Sequence, residues 1–370
     1  MRVTRMEMRH FRNYREASLA PDPRLTVLTG ANAQGKTNVL EALHLCCLGR
    51  SHRTAHDREM IAWGQESGGV QVSVRQRDGT HDVAVALHQI EGRRKQVHIG
   101  GKQAARIGEM MGHFHGIFFS PEDLTIVKEG PGERRRFLDM EMSQLRPVVF
   151  YTLQRYARAL KQRNNLLREL QRGPALRSTL DDWDEQLARF GAAVVAHRRS
   201  YVAALAEAAR RSHDAIAGAG EEHSLGVRYH TQIDGEGDQA ALTEQFCRRL
   251  HGAREEDIRR GVTSVGPHRD DLLLFLGERE ARTFGSQGQQ RTVVLALKLA
   301  ELDVVRAERG ENPVLLLDDV MSELDPYRRQ QLVERIAGVQ TIVTCTDLGD
   351  LGGARPGTVY CVQAGTLRLQ

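Results

Sequence analysis

Two groups of residues in this 370-residue chain carry recognisable chemistry. The first is Gly30-Ala31-Asn32-Ala33-Gln34-Gly35-Lys36-Thr37, which has the spacing G-x-x-x-x-G-K-T. Glycines so placed let the backbone curl until successive N–H groups point inward at a phosphate. Lys36 can then reach the β and γ phosphates, and the Thr37 hydroxyl can ligate Mg²⁺. ATP and Mg²⁺ are therefore the expected cofactors. The second group ends the apolar run Val314-Leu315-Leu316-Leu317-Asp318-Asp319, which reads as a buried parallel strand carrying two carboxylates at its tip. Asp318 is expected to hold the metal with Thr37, through water. Asp319 is expected to orient or deprotonate the attacking water, a task that needs a carboxylate within hydrogen-bond reach.

Strand and helix patterns fit these roles. Leu25 to Thr29 is apolar and leads into the loop, while Val39, Leu40, Leu43, Cys46 and Cys47 recur at helical spacing after it. The first hundred residues read as mostly strand around that helix, with Met6 to Phe11, Val70 to Val74, Asp82 to Leu87 and Gln96 to Ile99 as further strands. Ser120-Pro121-Glu122, after a strand at Ile117 to Phe119, has the composition of a helix start. From about Glu133 to Ala217 the pattern is almost wholly helical. Leu153, Tyr156, Leu160, Leu167 and Leu170 form one stripe, and Trp183, Leu187, Phe190, Val194, Tyr201 and Leu205 another, broken at Gly173-Pro174. Two antiparallel helices would bury these stripes against each other. Gly218 to Gln239 reads as an irregular crossing, after which α/β rhythm returns: strand Leu272 to Leu276, a helix from about Gln289 to Arg309, strand Thr341 to Thr344 and a hairpin turning at Ala364-Gly365.

Composition limits the function classes. At 40% hydrophobic and 27% charged residues the chain is ordinary for a globular protein, and no apolar run approaches a membrane span. The N-terminus lacks an apolar signal region, so a cytoplasmic location is expected. Five scattered cysteines without a C-x-x-C pair imply neither zinc nor a disulfide framework. The net charge of +4 is small, but Arg134 to Arg172 holds ten Lys or Arg against three Asp or Glu. That segment is either a solvated helix face or a surface for DNA phosphates, with Arg155, Arg158, Lys161, Arg168 and Arg172 as contacts. His113 and His115 read as structural rather than metal-binding.

About 280 residues separate the phosphate loop from the acidic strand, and further motifs lie near the latter. Phe284-Gly285-Ser286-Gln287-Gly288-Gln289 resembles the ABC-type signature L-S-G-G-Q, matching at Ser286, Gly288 and Gln289. Ser322-Glu323-Leu324-Asp325 resembles the D-loop of the same superfamily. This order is similar to the plan of an SMC-type ABC ATPase head interrupted by an arm, here an arm of roughly 85 residues. The implied fold is α/β: an ABC-type P-loop ATPase head of mixed sheets with flanking helices (1-132 and 218-370), plus a mainly helical lobe equivalent to a truncated SMC arm (133-217).

The family with that build is RecF, and the resemblance spans essentially the whole chain. It is carried by Phe11-Arg12-Asn13-Tyr14, the loop and its continuation Asn38-Val39-Leu40-Glu41-Ala42, Gly49-Arg50-Ser51-His52-Arg53, Ser120-Pro121-Glu122-Asp123-Leu124, Arg134-Arg135-Arg136-Phe137-Leu138-Asp139, Leu160-Lys161-Gln162-Arg163-Asn164 and Gly266-Pro267-His268. The resemblance implies a bacterial recombination mediator that binds double-stranded DNA at gaps or single/double-strand junctions and helps RecO-like and RecR-like partners load RecA. It also implies an ATP-dependent homodimer, in which Ser286, Gly288 and Gln289 of one subunit close over the γ-phosphate held by the loop of another. Slow hydrolysis would release it, since Asp319 is shorter than the glutamate commoner in ABC enzymes. Arg12, Asn13, Arg53, His268 and Arg269 are candidate nucleotide contacts by position. No Q-loop glutamine or switch histidine is identified, the corresponding regions being Pro121-Glu122-Asp123 and Thr344-Cys345-Thr346-Asp347. The alternative reading is a DNA-translocating or DNA-processing ATPase whose turnover is itself the product.

Overall fold

The computed structural model describes residues 1–89, 95–173, 177–217, 224–235 and 237–370. Among these residues the strands form three sheets. An antiparallel sheet runs β2-β1-β4-β5-β6-β7, from β1 (Arg2–Phe11), β2 (Tyr14–Leu19), β4 (Ser67–Gln76), β5 (Gly79–His88), β6 (Gln96–Ile99) and β7 (Lys102–Gln103). Val70, Val72 and Val74 are buried while Gln71 and Arg75 are exposed, so this sheet turns one apolar face inward. A second sheet collects strands from both ends of the chain in the order β15-β14-β3-β13-β12-β8. Its members are β3 (Leu25–Thr29), β8 (Gly116–Phe119), β12 (Val314–Asp318), β13 (Thr341–Cys345), β14 (Thr358–Gln363) and β15 (Thr366–Leu369). All residues of β8, β12 and β13 are buried, as expected for parallel strands covered on both faces.

Helix α1 (Lys36–Leu48) lies between the two sheets, and Val39 through Leu48 is buried throughout. That sandwich explains a helix apolar all round rather than striped. The other face of the parallel sheet packs on α3 (Pro131–Leu145), on α8 (Gln287–Arg309) and on the C-terminal half of α5 (Leu180–Ile216). Smaller helices are α2 (Thr125–Lys128), α7 (Ala281–Phe284) and α9 (Pro326–Arg335). A third sheet, β11-β10-β9, combines β9 (Leu225–His230), β10 (Asp271–Leu276) and β11 (Arg279–Glu280). Part of the expected irregular crossing is therefore strand: Leu225 to His230 pairs antiparallel with β10. Residues 218–223, 236 and Pro174 of the expected breaks lie outside the described residues.

The two long helices of the basic segment are α4 (Pro147–Leu170) and α5, which pack together as their stripes require. Tyr156, Leu187 and Val194 are buried between them, while Trp183 and Phe190 are half-buried. Helix α6 (Gln239–Arg260), which follows the arm in sequence, also packs there through Leu242, Phe246 and Leu250. At 37 residues α5 is about 55 Å long. Its first half belongs to this helical cluster, whereas Tyr201 to Ile216 is buried in the core beneath the parallel sheet.

Arg163 joins α4, α5 and α6. It is fully buried, donating from Nε to Asp184 at 2.6 Å and from Nη1 to Asp257 at 2.6 Å and Thr263 Oγ1 at 2.9 Å. Asn164 Oδ1 accepts from Thr263 N at 2.8 Å, and Asp257 accepts from the Ser264 hydroxyl at 2.6 Å. Removing the guanidinium would strand two buried carboxylates. Arg163→Met is accordingly expected to lower unfolding free energy by about 3–5 kcal/mol, measured by urea denaturation. Exposed Lys161→Ala should stay within about 0.5 kcal/mol of the parent.

Candidate functional site: a nucleotide-binding cleft

β3 ends at Thr29, and the phosphate loop follows. Gly30 has φ 149°, and a Cβ there would sit 2.4 Å from the Val362 carbonyl oxygen. Gly35 has φ 115° and presses against Asn13, so any side chain would collide with it. Between them Ala31, Asn32 and Ala33 are exposed, and Ala33 is itself left-handed at φ 63°. Helix α1 begins at Lys36, leaving first-turn N–H groups without intrahelical acceptors, an arrangement suited to an anion. Lys36 Nζ folds back onto the Gly30 and Ala31 carbonyls, with the latter at 3.1 Å.

The loop is clamped from outside. Asn13 Nδ2 donates to the Gln34 carbonyl at 2.8 Å, Tyr14 OH to the Gly35 carbonyl at 3.0 Å, and Ala364 N to Gln34 Oε1 at 2.8 Å. Asn38 Nδ2 reaches Asn13 Oδ1 at 2.8 Å, and Arg53 Nη1 reaches Asn38 Oδ1 at 2.9 Å. Arg12 makes a two-pronged pair with buried Glu41, at 2.8 and 2.6 Å. Arg12, Asn13 and Arg53 thus border the loop and help fix its shape. His268 and Arg269 are bonded elsewhere. His268 Nδ1 lies 2.6 Å from Tyr156 OH and Nε2 lies 3.0 Å from the Thr263 carbonyl, while Arg269 Nη2 donates to the same carbonyl. Burial pushes the His268 imidazole down to about 4, so the ring is neutral: Nε2 donates to the carbonyl and Nδ1 accepts from the tyrosine. His115 is also buried, with Nε2 3.7 Å from Glu141, and His113 stacks near His81.

Parallel pairing carries the acidic strand to the loop. β13 separates β3 from β12, with Thr344 aligned to Leu28 on one side and to Asp318 on the other. Thr37 Oγ1 consequently donates to Asp318 Oδ1 at 3.0 Å, although 281 residues separate them in sequence. Thr344 Oγ1 donates to the same oxygen at 2.7 Å and accepts from Asp319 N at 2.9 Å. Burial raises the Asp318 carboxyl above its ordinary range, opposed by the Thr344 and Thr37 hydroxyls and reinforced by the nearby charges of Glu122 and Asp319. A hydroxyl beside a buried carboxylate is an oxygen donor set that suits a hard divalent cation, so these residues fit Mg²⁺. Asp319 holds a left-handed backbone at φ 53°, and the Ser322 hydroxyl lies 2.8 Å from its carbonyl and 3.2 Å from its Oδ1. Thr344 was not singled out from sequence, where it appears only as the last buried residue but one of a strand.

The signature segment opens α8. Ser286 is the N-cap: its Oγ accepts from Gln289 N at 3.2 Å, and Gln289 Oε1 accepts from Ser286 N at 2.9 Å. Ser286 and Gly288 are exposed and Gln289 is half-buried. Among the described residues no hydrogen bond or ion pair joins these three to the loop of the same chain. The D-loop is tied to this helix instead, through an Arg291–Glu323 ion pair and Arg328 Nε to Thr292 Oγ1 at 2.9 Å. Asp325 caps α9 by accepting from Arg328 N at 3.0 Å. Because Thr344 orients the metal-side carboxylate, Thr344→Val is expected to weaken Mg²⁺-dependent ATP affinity by about tenfold. Titration with a fluorescent ATP analogue, with and without Mg²⁺, should show the metal-free affinity unchanged.

Comparison with known proteins agrees with this geometry. The family model described as "RecF/RecN/SMC N terminal domain" matches residues 2–356. The "DNA replication and repair protein RecF" of Ruminiclostridium cellulolyticum is 40% identical over 352 residues, covering 95% of this chain and 94% of that protein. The Bacillus subtilis protein of the same name is 39% identical over 373 residues, covering 99% and 100%. A solved structure of the recombination mediator protein RecF with ATP in the RecFOR pathway superimposes with TM-score 0.92 at 31% identity, covering 100% of this chain and 97% of that one. An SMC head domain from Pyrococcus furiosus shares the fold at TM-score 0.56 and 14% identity, covering 100% and 95%. With the loop, the acidic strand and the signature helix arranged in this way, the chain belongs to the RecF family of SMC-like ABC ATPase folds.

Proposed function

We propose that this protein is an ATP-driven DNA-binding switch in DNA replication and recombinational repair. The observation that carries the reading is the separation of two half-sites on one chain. Lys36, Thr37 and Asp318 form a nucleotide and metal cradle, while the exposed Ser286 cap has no bond to it. A second copy, related by two-fold symmetry, can bring its own Ser286, Gly288 and Gln289 to that cradle. ATP with Mg²⁺, when bound, supplies the γ-phosphate that the partner signature recognises. A helix N-terminus facing a phosphate contributes roughly 0.3–2 kcal/mol, and the symmetric dimer has two such contacts. Asp319, held by Ser322 and Thr344, positions the water whose attack ends the closed state.

The arm in this reading is residues 133–217 together with α6, and it offers a route to DNA. Arg155, Arg158, Lys161, Arg168 and Arg172 are all exposed on α4 and its C-terminal end. Their clustered charge suits the backbone of double-stranded DNA at a gap or junction. Relatives named for DNA replication and repair, and a structure assigned to the RecFOR pathway, support a role beside RecO-like and RecR-like partners in loading RecA. Among the described residues no helix is long and apolar enough to cross a membrane, in keeping with action on cytoplasmic DNA.

Sedimentation without nucleotide, with ADP and with ATP plus Mg²⁺ tests the switch. Asp319→Asn should prolong an ATP-specific dimer and Ser286→Arg should abolish it. A mass indifferent to nucleotide in the presence of DNA would refute the composite site. Charge reversal at Arg155, Lys161 and Arg168 is expected to reduce the log–log salt slope of DNA binding by about 0.9 for each phosphate no longer neutralised. An unchanged slope removes the arm from the DNA-binding surface.

A further inference from the structure

One buried charge cluster has no part in the nucleotide cradle itself. Lys298 lies twelve residues beyond Ser286 on α8, about 18 Å along the helix, and is almost fully buried. Its ammonium lies 3.5 Å from Asp123 Oδ1 and 3.5 Å from Glu301 Oε2, above the Phe137 ring at 5.1 Å. Asp123 is fixed in turn, with Oδ2 accepting from Ser120 N at 2.8 Å. Both sit at the turn that follows β8. Phe119 is in register with Leu317, so Ser120 leaves the sheet level with Asp318. Glu122, exposed on that turn, adds its charge to the field at Asp318. Consecutive side chains therefore look two ways, one toward the metal-side carboxylate and one into the signature helix.

The surroundings leave room for this unit to shift. A cavity of about 190 Å³ is framed by Ser120, Pro121 and Leu124 of the turn, Arg291 and Val294 of α8, and Glu323 of the D-loop. A larger one, about 720 Å³, has Glu122, Asp123 and Lys298 in its wall. A buried ammonium cannot part from its carboxylate without stranding both charges, so the turn and α8 must move together.

We infer that Glu122 and Asp123 are positioning residues that couple the nucleotide's metal side to the signature helix, with the Asp123–Lys298 pair as the rigid link. This inference rests on the composite-site reading. Coupling is reciprocal: whatever the bound nucleotide does to the position of Glu122 is felt at Ser286, and closure on a second copy is felt back at the metal side.

The test uses the full-length protein carrying Ser286→Arg, which keeps it monomeric, and hydrogen exchange of residues 286–298. Binding of ATP plus Mg²⁺ is expected to change protection there by about tenfold, although no partner signature is engaged. Glu122→Ala should abolish that change while leaving ADP affinity within about twofold. Paired Asp123→Leu and Lys298→Met, chosen to keep the site packed, should do the same. If ATP changes protection equally in Glu122→Ala, or does not change it in the Ser286→Arg parent, the link is refuted. An ATP-dependent dimer of the protein with Ser286 intact shows whether the composite-site reading survives that outcome.

Discussion

The site depends on one constraint: the tips of β3 and β12, drawn from opposite ends of the chain, must stand one strand apart at the same height. Parallel pairing with β13 between them meets it, and the Thr37–Asp318 hydrogen bond is the result. A slip of one residue would turn Asp318 to the other face of the sheet and Thr344 away from it. All residues of β8, β12 and β13 are buried, so such a slip would also misplace the core. Register and chemistry are therefore protected by the same apolar packing, with α1 on one face and α8 and α5 on the other.

The nucleotide side of the molecule also concentrates unusual backbone. His10, Arg12, Ala33 and Asp319 all have positive φ without being glycine. Such conformations persist only where their neighbours over-determine them. Here those neighbours include the Arg12–Glu41 pair and the hydrogen bonds of Asp319 with Thr344 and Ser322. Strain and preorganisation coincide at the loop rim and at the acidic tip.

The phosphate loop, the acidic strand and the start of α8 were legible in sequence because each is a local pattern: a spacing, an apolar run, a capping residue. The pairing of charges across long intervals was not. Arg163 counted as one of ten cations in a basic segment, yet its bonds reach residues 21 and 94 positions away. Helical periodicity does contain a clue, because Arg163 falls on the stripe of Tyr156, Ala159, Leu166, Leu167 and Leu170, whereas Arg155, Lys161 and Arg168 do not. His268 and Arg269 misled for a related reason: proximity to a motif in sequence says nothing about which core a loop enters. β9 was obscured by the Gly- and Glu-rich residues before it, since its partner β10 lies some forty residues on.

Helix α5 passes through both the helical cluster and the core under the parallel sheet, without a break. It therefore works as a lever with its fulcrum inside the head. A tilt of about 5° at the buried end displaces the far end by roughly 5 Å over a rod of ~55 Å. The mechanical stiffness of one continuous helix, rather than a hinge, would then convert small rearrangements beside the nucleotide into movement at the basic surface of the arm.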